Sequence, residues 1–295
     1  MKIGIGLPVG GPDTRVTDPA APVIDTLLLE WARRADAGPF STLGLLDRLV
    51  WPNPEPLVTL SVLAGATTRI RLQTEVLLAP LRETALLASQ VATLDRLSGG
   101  RFTLGVGVGG RGDDDLAAGV APRGRGDRLD AQMTRMRALW AGEPTADGVG
   151  AVGPAPRTPR GPELLFGAFA PAALARVARF GDGLLCAAPP SWAGDLFSTV
   201  DRAWDEAGRA GRPRNVGQLN VALGPAPLVD SARAAMHAYY AFTGMPERMT
   251  AGLLTDPAAV RAGIAGFADL GVDEVVLYCW AADPSQLDRL ADLTG

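Results

Sequence analysis

The stretch Leu81–Gly110, LRETALLASQVATLDRLSGGRFTLGVGVGG, decides the fold class because it joins a helix directly to a buried strand. Apolar residues recur at helical spacing from Thr84, and Ser98–Gly100 ends the helix, since glycine adopts the left-handed conformation that closes a helix at low steric cost. Arg101 then opens the apolar run FTLGVGV, which is typical of a strand buried on both faces of a parallel sheet. The stretch therefore predicts an α/β protein.

The glycines of this strand leave one of its faces bare. Gly105, Gly107 and Gly109 share a face because side chains alternate along a strand. A flat ring or a neighbouring backbone could lie against that face. The run Gly105–Gly110 also matches G-x-G-x-x-G, but the dinucleotide fingerprint needs these glycines in a turn between strand and helix. Here they lie within and at the end of the strand, so we interpret the match as accidental.

Strand and helix signals alternate along the whole chain. Eight strands, each followed by a helix, favour a closed (β/α)8 TIM barrel over an open Rossmann-like sheet with extra helices. We expect residues 1–295 to form one domain, with loops at Arg111–Pro122 and Gly142–Pro162 and a helical excursion at Ser231–Leu254. The predicted strands are Lys2–Leu7, Ser41–Leu46, Arg69–Leu78, Phe102–Val108, Glu163–Ala168, Gly183–Ala187, Gln218–Leu223 and Glu274–Cys279. The main predicted helices are Val23–Ala37, Glu55–Thr67, Thr84–Leu97, Gly126–Trp140, Ala172–Phe180, Trp192–Ala210 and Ala258–Leu270.

The composition excludes several classes of partner. The chain is 47% hydrophobic with a formal net charge of -4 and no basic run, so we expect neither nucleic acid nor an anionic membrane as partner. No signal peptide or membrane-spanning run is recognisable, which predicts a cytoplasmic protein.

The chain is poor in chemical groups of its own. His237 is the only histidine and Lys2 the only lysine, so multi-histidine metal sites are excluded and no metal is expected. Cys186 and Cys279 are interpreted as small buried hydrophobes. His237 fits a surface or core role better than catalysis. If the protein is an enzyme, we expect a cofactor to carry the chemistry.

Two acidic positions are candidates for function. Glu75 interrupts the apolar run LQTEVLLAP near the carboxyl end of the third strand, and a carboxylate pointing into a barrel is costly to bury unless it is paired. The alternative is a rim residue paired with Arg71 or Arg82. Asp47-Arg48, at the end of the second strand, could likewise be functional or structural. We favour a structural ion pair.

The junction Gly167–Leu174, GAFAPAAL, places a strand end against the first turn of a helix. Free N–H groups and the helix dipole make such a junction a ready anion site. The alternative is an ordinary strand-to-helix turn, of which a barrel has eight.

The run LAPLRETALLASQVATLDRLSGGRFTLGVGVGG strongly resembles the signature of the bacterial-luciferase-like flavin-dependent oxidoreductases. So do KIGIGLP at the start, ARFGDGLL at Ala178–Leu185 and RGDRLDAQMTRMRALWAGE at Arg125–Glu143. The resemblance covers nearly the whole chain. It implies a TIM barrel that binds FMN, or the 8-hydroxy-5-deazaflavin coenzyme, at the carboxyl ends of the strands.

The resemblance also implies where the cofactor lies. Many members have a non-prolyl cis peptide at the end of strand three, under the flavin ring, and the matching bond is Glu75–Val76. The ends of strands four and five usually hold the phosphate. By this correspondence the cofactor-binding residues are Glu75, Val76, Gly107, Gly109, Arg111, Gly167, Ala168, Phe169 and Ala170, with Glu75 and Asp47 as catalytic candidates.

The sequence departs from the family pattern at four places. Relatives often have Asp-His where Asp47-Arg48 stands, an aromatic residue where Gly110 stands, and a small residue in place of Glu75. At Gly167–Ala170 the usual hydroxyl donor is missing, which leaves backbone N–H groups and Arg111 for a phosphate.

The leading hypothesis is a flavin-dependent monooxygenase that uses reduced FMN, oxygen and a small organic substrate, with a flavin reductase as a further partner. One alternative is hydride transfer by the deazaflavin, and another is a non-catalytic barrel subunit that has lost its flavin site. The resemblance further implies a homodimer.

Overall fold

The computed structural model describes residues 1–8 and 24–294. The predicted loop after the first strand, and Val23 at the predicted start of the first helix, lie outside these residues. Eleven helices are found in the described part. They are α1 (Ile24–Ala37), α2 (Pro56–Ala66), α3 (Thr84–Leu97), α4 (Gly112–Ala117), α5 (Arg125–Trp140), α6 (Pro171–Phe180), α7 (Pro190–Glu206), α8 (Ala226–Tyr240), α9 (Pro246–Thr250), α10 (Pro257–Asp269) and α11 (Ser285–Ala291).

Eight parallel strands close into a barrel. The last barrel strand pairs with both the first and the seventh, which excludes the open-sheet alternative. Two short strands, β4 (Leu77–Leu78) and β9 (Leu253–Leu254), extend the carboxyl side of the sheet. The barrel strands are β1 (Lys2–Gly6), β2 (Thr42–Leu45), β3 (Arg71–Thr74), β5 (Phe102–Gly107), β6 (Glu163–Gly167), β7 (Gly183–Cys186), β8 (Arg214–Val221) and β10 (Glu274–Cys279).

Three predicted segments differ from the structure. The predicted third strand is interrupted at Glu75 and Val76, so that β3 and β4 are separate. The seventh strand begins at Arg214 rather than at Gln218. Arg214 and Asn215 pair with β7, and Arg214 forms ion pairs with Glu163 and Glu274, which a hydropathy pattern does not show. The excursion predicted as helix is broken into α8, a 3-10 turn, α9 and β9.

The predicted loop Arg111–Pro122 was wrong in part, because it contains helix α4. Three aspartates fill its first turn, where negative charge is favourable for a helix. The carboxylate of Asp114 accepts backbone N–H groups of Leu49 and Val50 at 3.1 and 2.7 Å. These long-range bonds stabilise a polar segment that has no apolar periodicity of its own.

An ion-pair network lies at the amino ends of the barrel strands. The guanidinium of Arg214 pairs with Glu163 at 2.5 Å and also with Glu274, which is fully buried. Glu274 accepts a further hydrogen bond from the hydroxyl of Ser41, and Arg71 also pairs with Glu163. The network joins strands β3, β6, β8 and β10 at the end of the barrel away from the predicted site.

We expect Arg214→Met to lower the free energy of unfolding by about 3–5 kcal/mol, because it leaves Glu274 buried without its cation. Arg212→Met is the matched control: this exposed arginine pairs with Asp273, and its loss should cost at most about 1 kcal/mol. Urea unfolding of both variants measures the difference. Equal effects would show that the buried network does not stabilise the barrel.

Candidate functional site

A cavity of about 440 Å³ opens at the carboxyl ends of the strands. Its volume is in the range of small-molecule and cofactor sites. Eight of the residues predicted to bind the cofactor lie in its wall, and no arginine or lysine of the described residues lines it. The lining residues are Glu75, Val76, Leu78, Gly107, Val108, Gly109, Gly110, Gly167, Ala168, Phe169, Ala170, Ala173, Leu185, Cys186, Ala187, Val216, Gly217, Gln218 and Val276.

The Glu75–Val76 peptide bond is cis, as the resemblance implied. The Val76 side chain lies in a hollow that two glycines provide: a Cβ at Gly107 would come within 2.6 Å of its Cγ2, and one at Gly167 within 2.9 Å of its Cγ1. Any larger residue at either position would have to displace Val76.

The bare face of β5 is therefore covered by the neighbouring strand over most of its length. A Cβ at Gly105 would lie 2.0 Å from the carbonyl oxygen of Thr74. Of the two occupants that the sequence left open, the backbone takes the lower part of this face. Beyond the strand the space opens at Gly110, where a Cβ would meet no atom within 4 Å, whereas a Cβ at Gly109 would contact Leu78 at 3.5 Å.

The carboxyl group of Glu75 lies inside the barrel beneath the cavity. It accepts a hydrogen bond of 2.6 Å from Nε2 of Gln73, and a Cβ at Gly44 would come within 2.6 Å of its Cδ. Burial raises the pKa of Glu75 to about 8, against the opposing effect of the Gln73 hydrogen bond. Glu75 is therefore a neutral carboxylic acid at neutral pH, able to donate a hydrogen bond.

Glu75 is not paired with an arginine among the described residues. Arg71 pairs with Glu163, while Arg82 pairs with Asp47 at 2.7 Å and with Glu55 at 3.0 Å. The alternative of a rim carboxylate paired with Arg71 or Arg82 was wrong.

Three residues that the sequence analysis did not single out define the surroundings of Glu75. Gln73 holds its carboxyl group, Gly44 makes room for it, and Tyr278 lies nearby with its Oη accepting the N–H of Leu46 at 2.8 Å. Burial raises the pKa of Tyr278, and the charge of Glu75 raises it further. Side chains alternate along a strand, so the sequence pattern could have placed Gln73 on the same face as Glu75. It could not have identified Gly44 and Tyr278, because these residues come from other strands.

Helix α6 begins at the cavity wall without a side-chain cap. Its N-cap is Ala170, which offers no side-chain acceptor, and Pro171 occupies the first turn. The first-turn N–H groups of a helix are free to bind an anion when no side chain caps them. The wall residue Ala173 lies in this turn.

Asp47 lies outside the cavity wall, and its carboxylate binds the backbone of Leu78. Its Oδ2 accepts the N–H of Leu78 at 2.8 Å and pairs with Arg82, and the side chain is 5% exposed. Because Leu78 belongs to β4, this carboxylate anchors the segment that follows Glu75 and Val76.

Arg111 is the one predicted cofactor residue that the structure does not bring into the cavity wall. Its guanidinium lies 4.4 Å from the ring centroid of Tyr239 and 3.6 Å from that of Phe242, and it donates to the carbonyl oxygen of Tyr239 at 2.5 Å. Tyr239 and Tyr240 pack against Trp280, and neither tyrosine lines the cavity.

The remaining reactive residues take structural positions. His237 forms an exposed pair with Glu247 at 3.2 Å. Cys186 and Cys279 are free and buried, as expected, and burial raises the pKa of the Cys186 thiol to about 11. Within residues 1–8 and 24–294, no cluster of three or more His, Cys, Asp or Glu is placed to hold a metal ion. No helix in this part of the chain has the length and apolar composition to span a bilayer.

The fold is similar to those of several solved enzymes. The monooxygenase RslO1 from Streptomyces bottropensis matches with a TM-score of 0.81 at 22% identity, over 99% of this chain and 97% of that one. An F420-dependent secondary alcohol dehydrogenase, solved with an F420-acetone adduct, matches with a TM-score of 0.79 at 18% identity, over 99% and 98%. The oxygenating constituent of 3,6-diketocamphane monooxygenase from Pseudomonas putida, solved with FMN, has a TM-score of 0.72 at 18% identity, over 99% and 96%.

At these identities the likeness concerns the fold. The sequence itself carries the assignment further, because residues 1–269 match the family model described as luciferase-like monooxygenase. The match covers most of the chain, including every strand of the cavity wall except β10. The protein belongs to the luciferase-like monooxygenase family.

Proposed function

We propose that the protein is a flavin-dependent oxidoreductase, a monooxygenase that uses reduced FMN and oxygen on a small organic substrate. The observation that carries this proposal is the cavity above Glu75 and Val76 at the carboxyl ends of the strands, where barrel enzymes place their active sites. Family membership and the FMN-bound Pseudomonas putida enzyme of the same fold support it. A separate flavin reductase would supply the reduced cofactor.

The cavity residues fit a planar cofactor with an anionic tail. Val76 would support the ring from below, and the open space at Gly110 leaves room beside it. Pro171 has no N–H and that of Ala173 donates to the carbonyl oxygen of Ala170 at 2.9 Å, so the N–H of Ala172, together with Gly167–Ala170, would hold a phosphate by backbone bonds alone. The bound flavin would supply the redox chemistry, and the protein would supply position and exclusion of water.

Glu75 is the residue that we assign to proton handling in this site. As a neutral acid in the floor of the cavity it would donate a hydrogen bond, or a proton, to the cofactor or substrate above it. Gln73 would hold the acid in place from its own strand. Asp47 would act at a distance, by fixing the backbone of Leu78 beside the cavity.

Hydride transfer by the deazaflavin coenzyme is the second candidate. The F420-dependent alcohol dehydrogenase has a similar fold, and the cavity has no side chain specific to either cofactor. Titration with FMN and with the deazaflavin, followed by turnover with and without oxygen, separates the two. A protein that binds neither at tens of micromolar would instead be a non-catalytic barrel.

Ala173→Trp should weaken flavin binding by at least about tenfold, because it places an indole in the cavity wall. Ala172→Trp is the matched control, since this neighbouring residue on α6 is exposed and does not line the cavity. Quenching of flavin fluorescence measures both. Equal affinities for the two variants would place the flavin elsewhere.

Glu75→Gln should stabilise the protein more at high pH than at low pH. The folded-state pKa of Glu75 is raised, so the native protein binds this proton more tightly than the unfolded chain, and wild-type stability falls as pH rises from about 5 to about 8. Glutamine does not titrate, so the variant does not lose stability in this way. The free energy of unfolding of Glu75→Gln, relative to that of the wild type, should rise by about 1–3 kcal/mol between pH 5.5 and pH 9.

Urea unfolding at the two pH values measures this effect. Glu83→Gln is the control, and its effect on stability should depend on pH in the opposite direction. The Glu83 carboxylate caps α3 by accepting the N–H of Leu86, and its pKa is lowered. A pH-independent difference for Glu75→Gln would mean that Glu75 is already ionised at neutral pH.

We also propose a homodimer formed through α2 and α3. Leu49, Val58, Val62 and Leu86 are each more than half exposed and lie on these helices and on the loop that precedes α2. Exposed apolar side chains on adjacent helices commonly mark an interface, and a two-fold dimer buries the same patch on both copies.

Val62→Arg should shift the protein from dimer to monomer, because it places a charge in this patch. Leu116→Arg on α4 is the control, since Leu116 is exposed but lies outside the patch. Light scattering coupled to size-exclusion chromatography reads the mass directly. A dimer that survives Val62→Arg would use another surface.

A further inference from the structure

A cluster of arginines and aromatic rings occupies the carboxyl mouth of the barrel beside the cavity. We call it the arginine–aromatic cluster and define it as Arg48, Trp51, Arg111, Tyr239 and Phe242. Arg48 follows strand β2, Arg111 follows β5, and Tyr239 lies on α8, which follows β8. Both guanidinium groups contact the ring of Tyr239, at 5.5 Å for Arg48 and 4.4 Å for Arg111.

Arg111 is a buried cation without a carboxylate partner in the part of the chain that the structure describes. The residue is 9% exposed, and its guanidinium donates to the carbonyl oxygen of Tyr239 and also interacts with the Tyr239 hydroxyl. Desolvation lowers the pKa of Arg111. The rings of Tyr239 and Phe242 offset part of the cost of burying this charge, but they do not neutralise it.

Two donors in the same cluster lack an acceptor among the described residues. The Arg48 side chain is 3% exposed: its Nε donates to Asp114 at 2.8 Å and its Nη2 to the carbonyl oxygen of Val50 at 2.9 Å. The Tyr239 hydroxyl also interacts with this guanidinium, but no acceptor has hydrogen-bond geometry to Nη1. Nε1 of Trp51 is also buried without one. Leaving a buried donor unpaired is costly, and native structures rarely do so.

The chemistry of the missing group follows from these side chains. Both unpaired atoms are donors, so the group must be an acceptor. The charge of Arg48 is offset by ion pairs with Asp113 and Asp114. Arg111 forms no ion pair with a described residue and feels the charge of Asp113 only at a distance, so a negative group is favoured. A carboxylate meets both conditions, because it offers two acceptor oxygens and one charge.

We propose that the arginine–aromatic cluster binds an oxyanion and that this oxyanion is a carboxylate of the substrate. The assignment to the substrate rests on the proposed function. The cofactor phosphate is the other source of such a group, but Arg111 is absent from the cavity wall, and the uncapped start of α6 offers the phosphate its own donors. The substrate is therefore a small organic acid whose carboxylate lies in the cluster while the rest of the molecule faces the cavity.

The probe is benzoate, compared with benzamide, which has the same shape without the charge. In ¹⁵N-labelled protein we expect benzoate to move the Trp51 indole N–H signal downfield, with the signal identified by its absence in Trp51→Phe. Benzamide should bind at least about tenfold more weakly. Trp51→Phe and Arg111→Met should each weaken benzoate binding at least about fivefold, while Trp192→Phe, the same change at an exposed tryptophan outside the cluster, should not.

Each other outcome overturns the proposal in a distinguishable way. Benzoate binding that is insensitive to Trp51→Phe and Arg111→Met, or that is matched by benzamide, excludes an oxyanion site in the cluster. A Trp51 signal that moves with FMN but not with riboflavin assigns the cluster to the cofactor phosphate. If flavins bind while benzoate does not, the oxyanion site is wrong and the proposed function stands. If benzoate binds while neither flavin nor deazaflavin does, the proposed function is wrong, and so is the assignment of the carboxylate to the substrate.

Discussion

The packing of Val76 against two glycines is the contact on which the geometry of the candidate site depends. Its branched side chain occupies space that a Cβ at Gly107 or Gly167 would fill. Because Val76 is held between β5 and β6, the segment between β3 and β4 is fixed, and the side chain of Glu75 is directed into the barrel over Gly44. The packing of Val76 against these two glycines thus fixes the floor of the cavity and the direction of the Glu75 side chain.

The two parts of the carboxyl mouth differ in charge and chemistry. The cavity wall is mostly apolar side chains and backbone, and none of its described residues is a cation, so backbone N–H groups at the start of α6 are the donors that it offers an anion. The arginine–aromatic cluster holds two guanidinium groups and two unpaired donors. A planar cofactor suits the first part and an acidic group suits the second. The structure thereby supports separate positions for the flavin and for the charged end of the substrate.

A neutral Glu75 is consistent with both the fold and the proposed chemistry. Burial opposes ionisation more strongly than the Gln73 hydrogen bond favours it, and the nearby charge of Glu274 acts in the same direction as burial. Arg214 favours the ionised form, but it is itself held in ion pairs with Glu163 and Glu274 at the opposite end of the strands. The ion-pair network that stabilises the barrel therefore leaves Glu75 without a cation of its own.

The sequence by itself determined the barrel, the approximate position of its strands, the family and eight residues of the cavity wall. Alternating periodicities are local properties, and the strand ends of a closed parallel barrel must meet at one mouth, so Glu75 and the glycines of the fourth strand could be placed at that mouth. The family resemblance added Val76 and the cofactor positions at Gly167–Ala170. Only the tertiary structure decided the partners of charged residues. Asp47 pairs with Arg82 and Arg48 with Asp114, and Arg111 packs on Tyr239, more than a hundred residues away. Such contacts depend on side-chain reach across strands and loops, which no local pattern encodes.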